Sequence, residues 1–363
     1  MNFNRRNFLK TSGAAVAGTI IVPPFLKSCG NLQTSINVKN YLDHFEISTE
    51  VLGKVISEAM SKGGDYADLF FEHKISNNIG LQDGKVNIAS SNIDYGVGIR
   101  VLKGDQTGFA YSESLETASM LDAARLAASI ASNPSTFGRE GINEKIPADY
   151  YSISRPWEDV SVKDKVPFVQ KINDRIFSMD DKVIKVNASL NDETSYVLFY
   201  NSEGMLSYDY RPLTSFAAMC IMQKGKQVEN SYSSRSYRKG FEWLTDDLVE
   251  ELAREAVNNT NILFEATKPR AGELPVILGA GGSGILLHEA IGHTFEADFN
   301  RKGTSIFSDK MGKKVAENFI NIIDDGTLEN NRGSLNIDDE GNDVKKTYLV
   351  KDGMLNSYIH DRI

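Results

Sequence analysis

Two histidines five residues apart, His288 and His293 in Ile285-Leu-Leu-His-Glu-Ala-Ile-Gly-His293, constrain the backbone of this chain more than any other feature. Only five histidines occur in 363 residues, and these two bracket a carboxylate, Glu289. Neutral imidazole is a preferred zinc ligand, and a carboxylate beside a zinc-bound water can take its proton, a combination that hydrolyses amide bonds. For both rings to meet one metal the chain must leave the ideal helix. Positions i and i+5 lie about 140° apart around an α-helix, against about 40° for i and i+4. A π-type turn, whose repeat is i to i+5, closes that gap, as does an early helix end that swings the second ring back. Gly292, immediately before His293, permits either through its backbone freedom. A straight helix would instead bury one ring and expose the other.

The flanking segments are as distinctive as the motif. Before it runs Leu274-Pro-Val-Ile-Leu-Gly-Ala-Gly-Gly-Ser-Gly284, and after it Thr294-Phe-Glu-Ala-Asp-Phe-Asn-Arg-Lys-Gly-Thr-Ser305. Further on come Asp324-Asp-Gly326, Gly333-Ser-Leu-Asn-Ile-Asp-Asp-Glu-Gly341, Asp352-Gly353 and Tyr358-Ile-His-Asp-Arg362. Together these closely resemble the TldD/PmbA family of bacterial peptidases, first described as modulators of DNA gyrase. The resemblance is strongest over residues 270–362 and extends more weakly over 47–265. In carrying the His-Glu-x-x-x-His motif the chain resembles the TldD branch, since the PmbA (TldE) branch generally lacks it.

The resemblance implies a zinc metallopeptidase acting on flexible peptides. His288 and His293 would bind Zn2+, and Glu289 would be the general base on a zinc-bound water. It also implies a PmbA/TldE-like homologous subunit as partner, and a third zinc ligand, a Cys near the C-terminus of the family's chains. No residue here matches that Cys. Cys220 lies in the apolar run Ser215-Phe-Ala-Ala-Met-Cys-Ile-Met222, where a free thiol is expected to be a small core residue. The chain is therefore expected to be part of a longer one or a truncated product. The alternative function is a catalytically inactive binding or scaffold subunit of a TldD/PmbA-type complex.

Two other motifs compete. Gly279-Ala-Gly-Gly-Ser-Gly284 satisfies G-x-G-x-x-G after the apolar Val276-Ile-Leu278, but no second strand ending in a ribose-binding acid follows. A tight turn into a helix is the expected role of those glycines. Asn336-Ile-Asp-Asp-Glu-Gly341 resembles a calcium loop, yet it starts with Asn and has Thr347 where the bidentate Glu belongs, so a solvated acidic turn is expected. His44 and His73 read as surface or structural residues. His360 could approach the site.

Asn4-Arg-Arg-Asn-Phe-Leu-Lys10 followed by a weakly apolar run to Leu26 matches a twin-arginine export signal. Leu26-Lys-Ser-Cys29-Gly30 resembles a lipobox, which would make Cys29 a lipidated first residue and place the protein on the periplasmic side, anchored to membrane. With Cys29 acylated, Cys220 would have no disulfide partner. Residues 1–28 hold four basic and no acidic residues, so their removal takes the net charge from −9 to −13. No basic patch appears, and nucleic-acid binding is electrostatically disfavoured.

Four regions are expected: a signal peptide over 1–28, a polar linker over 29–45, an N-terminal α+β region over 46–267, and a partial metal-binding peptidase domain over 268–363. Within the α+β region, helices are expected over 47–62, 116–132, 162–178 and 245–260. Strands separated by Asp83-Gly84, Lys103-Gly-Asp105 and Asn201-Ser-Glu-Gly204 fill 67–112 and 182–238. The fold class is α+β, with helices packed on antiparallel sheet, followed by a mainly β metal-binding domain carrying one short helix with the His-Glu-x-x-x-His motif.

Overall fold

Polar residues with apolar ones at helical spacing open the described part of the chain. A computed structural model describes residues 37–131, 137–138 and 140–363. The signal peptide, Cys29 and the linker as far as residue 36 lie outside the described residues. The expected polar linker does not persist to residue 45. Residues Val38–His44 form a helix, α1, capped by Asn37, which accepts from the Asn40 amide. Val38, Tyr41 and Phe45 fall on one helical face and are 4, 2 and 1% exposed, so burial offsets the cost of ordering this stretch. Helix α2, Thr49–Ala59, follows with Ser48 as N-cap.

Strands β1, Tyr66–Gln82, and β2, Lys85–Lys103, are joined through Asp83 and Gly84, whose φ values are 52° and 71°. Two consecutive positive φ angles give a two-residue turn whose twist suits paired strands. Strand β3, Gln106–Ser112, returns along the second half of β2, and helix α3 covers Thr117–Ala128. After the two-residue β4, Asn143–Glu144, come helix α4, Val162–Met179, and strands β5, Val183–Asn201, β6, Met205–Lys224, and β7, Gln227–Tyr237. Helix α5, Asp246–Leu263, completes this part. The sheet runs β3-β2-β1-β5-β6, with β7 antiparallel and β4 parallel to β6.

The expected turns are in place, and the strands between them are longer than the apolar runs that marked them. Val86–Ile88 and Gly96–Val101 belong to one strand of 19 residues. Its middle, Ala89 to Asp94, is exposed on both faces, so no alternation of apolar and polar residues could signal it. The core lies where helices cover the sheet. Phe216, Ala218, Cys220 and Met222 alternate along β6 toward Val169, Ile172 and Ile176 of α4 and Leu252, Ala253 and Ala256 of α5.

Residues 268–363 contain short helices around the histidine motif and a sheet of β8, Ile322–Asp325, β9, Lys346–Lys351, and β10, Met354–Leu355. This sheet carries its own small core of Phe295, Leu349, Val350 and Leu355. A loop over 334–343 fastens it to the large sheet. Asp209, fully buried, accepts from Tyr151 Oη at 2.8 Å, Asn336 Nδ2 at 2.9 Å and Arg211 Nε at 2.9 Å. Arg211 also reaches the Ile337 carbonyl at 2.9 Å and Asp339 at 2.7 Å. The expected solvated turn is thus half buried: Asn336 is 7% and Ile337 0% exposed, and Gly341, at φ 74°, packs directly on Phe199.

Candidate metal centre

Glycines turn the chain into the motif. Gly281 adopts φ 115°, and Ser283 Oγ donates to the Gly279 carbonyl as helix α6, Ser283–Leu287, begins. Val276–Leu278 forms no strand, so the order that a dinucleotide fold would need is absent here. At His288–Gly292 the helix widens into a π turn, with the His293 amide bonding the His288 carbonyl. The i to i+5 bond brings residue 293 over residue 288, and the two imidazole centroids lie 4.5 Å apart, tilted by 65°.

Gly292 serves this turn through its size. Its φ and ψ, −53° and −57°, are ordinary helical angles, open to any residue. A Cβ there would meet His288 Nδ1 at 3.0 Å, so the missing side chain leaves room for the ring.

The chain after the motif is firmly held. His293–Phe295 form a 3₁₀ turn leading into α7, Ala297–Arg301. Phe295 is 1% exposed and stacks edge-on against Phe307. Its carbonyl accepts from the Ile359 amide at 2.8 Å, and the Ala297 amide donates to the Ile359 carbonyl at 2.8 Å. Asn300 Nδ2 bonds the carbonyls of Thr294 and Glu296, both at 2.8 Å.

One nitrogen or oxygen from each of His288, Glu289 and His293 lies within 4.8 Å of the others. His293 Nε2 is 4.0 Å from Glu289 Oε2, and its Nδ1 is 2.7 Å from Glu296 Oε1. The Glu296 hydrogen bond holds the His293 imidazole above its usual proton affinity, with the charges of Glu296 and Glu289 adding to it. Two imidazoles and a carboxylate, all exposed and converging, fit part of a zinc donor set. Glu296 was not among the residues singled out from sequence.

The other candidates fall elsewhere. Cys220 is fully buried in the helix-covered core, and burial pushes its thiol up to about 11. His360 follows Ile359 and lies with its ring centroid 6.3 Å from that of Tyr358, outside the three-residue cluster. His44 Nε2 meets His73 Nδ1 at 2.9 Å, and the His44 ring stacks on Tyr196 at 4.3 Å, a half-buried pair where the end of α1 meets β1 and β5.

Comparison with known proteins places the chain in a family. Residues 67–131, 155–264 and 271–363 match the first, central and C-terminal domains of the PmbA/TldA metallopeptidases. The chain is 34% identical over 329 residues to the metalloprotease TldD homolog of Haemophilus influenzae, covering 87% of this chain and 67% of that one. The chain belongs to the PmbA/TldD metallopeptidase family. The TldD homolog of Buchnera aphidicola (Acyrthosiphon pisum) is 35% identical over 85% of this chain and 65% of its own length. This PmbA/TldD chain therefore spans about two thirds of the length of those relatives. A crystal structure of a protein described as a modulator of a DNA gyrase from Thermotoga maritima shares the fold, with TM-score 0.71 and 20% identity over 86% of this chain and 71% of that one. TldE from Thermococcus kodakarensis gives 0.65 and 20% over 86% and 70%. Residues 2–21 match the twin-arginine translocation signal, which supports export by that pathway. Among the described residues no helix is long and apolar enough to cross a membrane.

Proposed function

We propose that His288 and His293 hold zinc and that Glu289 is the general base in hydrolysis of peptide bonds in flexible peptides. The reading rests on one observation above all, the π turn that gathers two imidazoles and a carboxylate on an exposed surface. Zinc bound there would supply Lewis acidity, polarising a carbonyl oxygen and lowering the pKa of water. Glu289, next in sequence to one ligand and 4.0 Å from the other, takes a proton from the attacking water and passes it to the leaving amine. A relative from Saccharolobus solfataricus, 24% identical over 85% of this chain and 68% of its own length, is named a zinc metalloprotease TldD homolog, which supports zinc as the metal.

The TldE neighbour supports pairing with a homologous PmbA/TldE-type subunit. The lipobox-like Leu26-Lys-Ser-Cys29 supports attachment through Cys29 to a membrane on the periplasmic side. Of the four expected regions, 1–28, 46–267 and 268–363 are kept as proposed, while the linker expected over 29–45 is interrupted by helix α1.

A second reading is a non-catalytic binding subunit. Glu289→Gln separates the two. An enzyme loses hydrolysis of an unstructured peptide by about 10²–10⁴-fold with its metal retained. Equal turnover in variant and wild type would sink the general-base assignment, and no turnover in a zinc-loaded wild type would favour the binding subunit.

A further inference from the structure

The two nitrogens of His293 face different carboxylates. Nδ1 lies 2.7 Å from Glu296 Oε1, and Nε2 points to the side where Glu289 and His288 converge. An ionised carboxylate can only accept a hydrogen bond, so the contact with Glu296 requires a proton on Nδ1. In the neutral ring that leaves Nε2 with its lone pair, directed at the cluster. We propose that Glu296 is a positioning residue that selects this tautomer and orientation of His293 and thereby presets the site for metal. The inference rests on the reading of His293 as a zinc ligand and adds a residue to it.

The mounting of Glu296 supports this role. Its backbone carbonyl accepts from Asn300 Nδ2 at 2.8 Å, and the residues on either side of it bond Ile359, both at 2.8 Å. Phe295, buried at 1%, anchors the same turn in the small core. The backbone that carries this carboxylate is therefore held by the bridge to Ile359 and by Asn300 of α7, not by the glycine-bounded helix that carries His288. The π turn brings the two histidines together, and the packed segment after it adds a second hold on His293.

Magnitudes decide what such a contact can do. The side chains of His293 and Glu296 are 51 and 36% exposed, and exposed pairs of this kind contribute little to stability because water and salt screen them. A fold-stabilising role is thus a poor fit. Carboxylates that orient ligating histidines, in contrast, change metal affinity by about 10–100-fold when removed.

The test uses the full chain and its Glu296→Ala and Glu296→Gln variants, with zinc titrated against a chromogenic chelator. Glu296→Ala is expected to weaken zinc binding by about 10–100-fold with the melting temperature unchanged. Glu296→Gln, which keeps a carbonyl acceptor of the same reach, should fall between it and wild type. Nitrogen-15 spectra of the metal-free chain at mildly alkaline pH read the tautomer independently. His293 should carry its proton on Nδ1 in wild type and redistribute it in Glu296→Ala. Equal affinities in all three chains, or a wild-type His293 protonated on Nε2, would overturn the proposal. Zinc binding unaffected by His293→Ala would overturn the metal reading instead, and the spectra would still decide whether Glu296 sets the tautomer.

Discussion

A methyl group added at Gly292 would sit 3.0 Å from His288 Nδ1. Because residue 292 has helical angles, the same substitution removes the entropic cost of a helical glycine, about 0.5–1 kcal/mol. The exposed His288 ring can swing aside without disturbing the core. Gly292→Ala should therefore keep or raise the melting temperature while weakening zinc binding, read by thermal denaturation beside chelator competition. A fall in melting temperature with zinc affinity intact would contradict this account of the glycine. The i, i+5 spacing of His288 and His293 was legible in sequence because helical geometry allows so few ways to bring the rings together. The reason for Gly292 was not, since the crowding arises only once the π turn has formed. Glu296 was silent because its link to His293 runs across a 3₁₀ turn, and an acid in a polar stretch reads as solvated surface.

Among the elements, α1 shows most clearly what composition conceals. Its docking places His44 against His73 and Tyr196. Burial, and then the neighbouring His73, hold the His44 imidazole down at about 4, against 6.5 when exposed, and burial also lowers His73. A histidine depressed in the folded state binds its proton more readily when unfolded. It costs nothing above pH 6.5 and increasingly destabilises the fold as pH falls toward 4. Acidification across that window should cost roughly 2–3 kcal/mol through His44, seen as a loss of denaturant midpoint that His44→Phe reduces. A pH profile identical in the variant would exclude this pair as the cause. Helix α4 carries a second buried polar contact. Lys165 Nζ sits 2.8 Å from Asp192 Oδ2, with side chains 3 and 1% exposed, and Asn77 Nδ2 donates to the same carboxylate at 2.8 Å. Lys165→Met leaves that carboxylate buried without its cation and should cost about 3–5 kcal/mol in urea denaturation. An unchanged midpoint would show that Asn77 alone satisfies it. Turns followed from their glycines and acids, as at Asp83-Gly84. Strand lengths did not, because polar residues exposed on both faces of β2 leave no period to read.

In the whole molecule, the large sheet and the smaller β8–β10 unit are joined through charged side chains around 334–343. Arg100 pairs with Glu340 at 2.7 Å, Lys145 with Asp343 at 2.9 Å and Arg211 with Asp339 at 2.7 Å. These long-range partners could not be matched from sequence, since any Arg might have met any Asp. The family could, because the motif and its glycine- and acid-rich flanks stand together in this one sequence. The approach to the motif is apolar and open: Val276, Ile277 and Ile285 are 75, 98 and 69% exposed. The proposed ligands therefore rest on the π turn and on the packed segment that follows it, and their competence is best read on the metal itself. The deciding measurement is zinc content of the purified full chain by elemental analysis, beside a folded His288→Ala, His293→Ala control. The account predicts about one zinc per chain, lost in the control. A folded wild type without zinc, or a control that keeps it, would contradict the assignment of this centre.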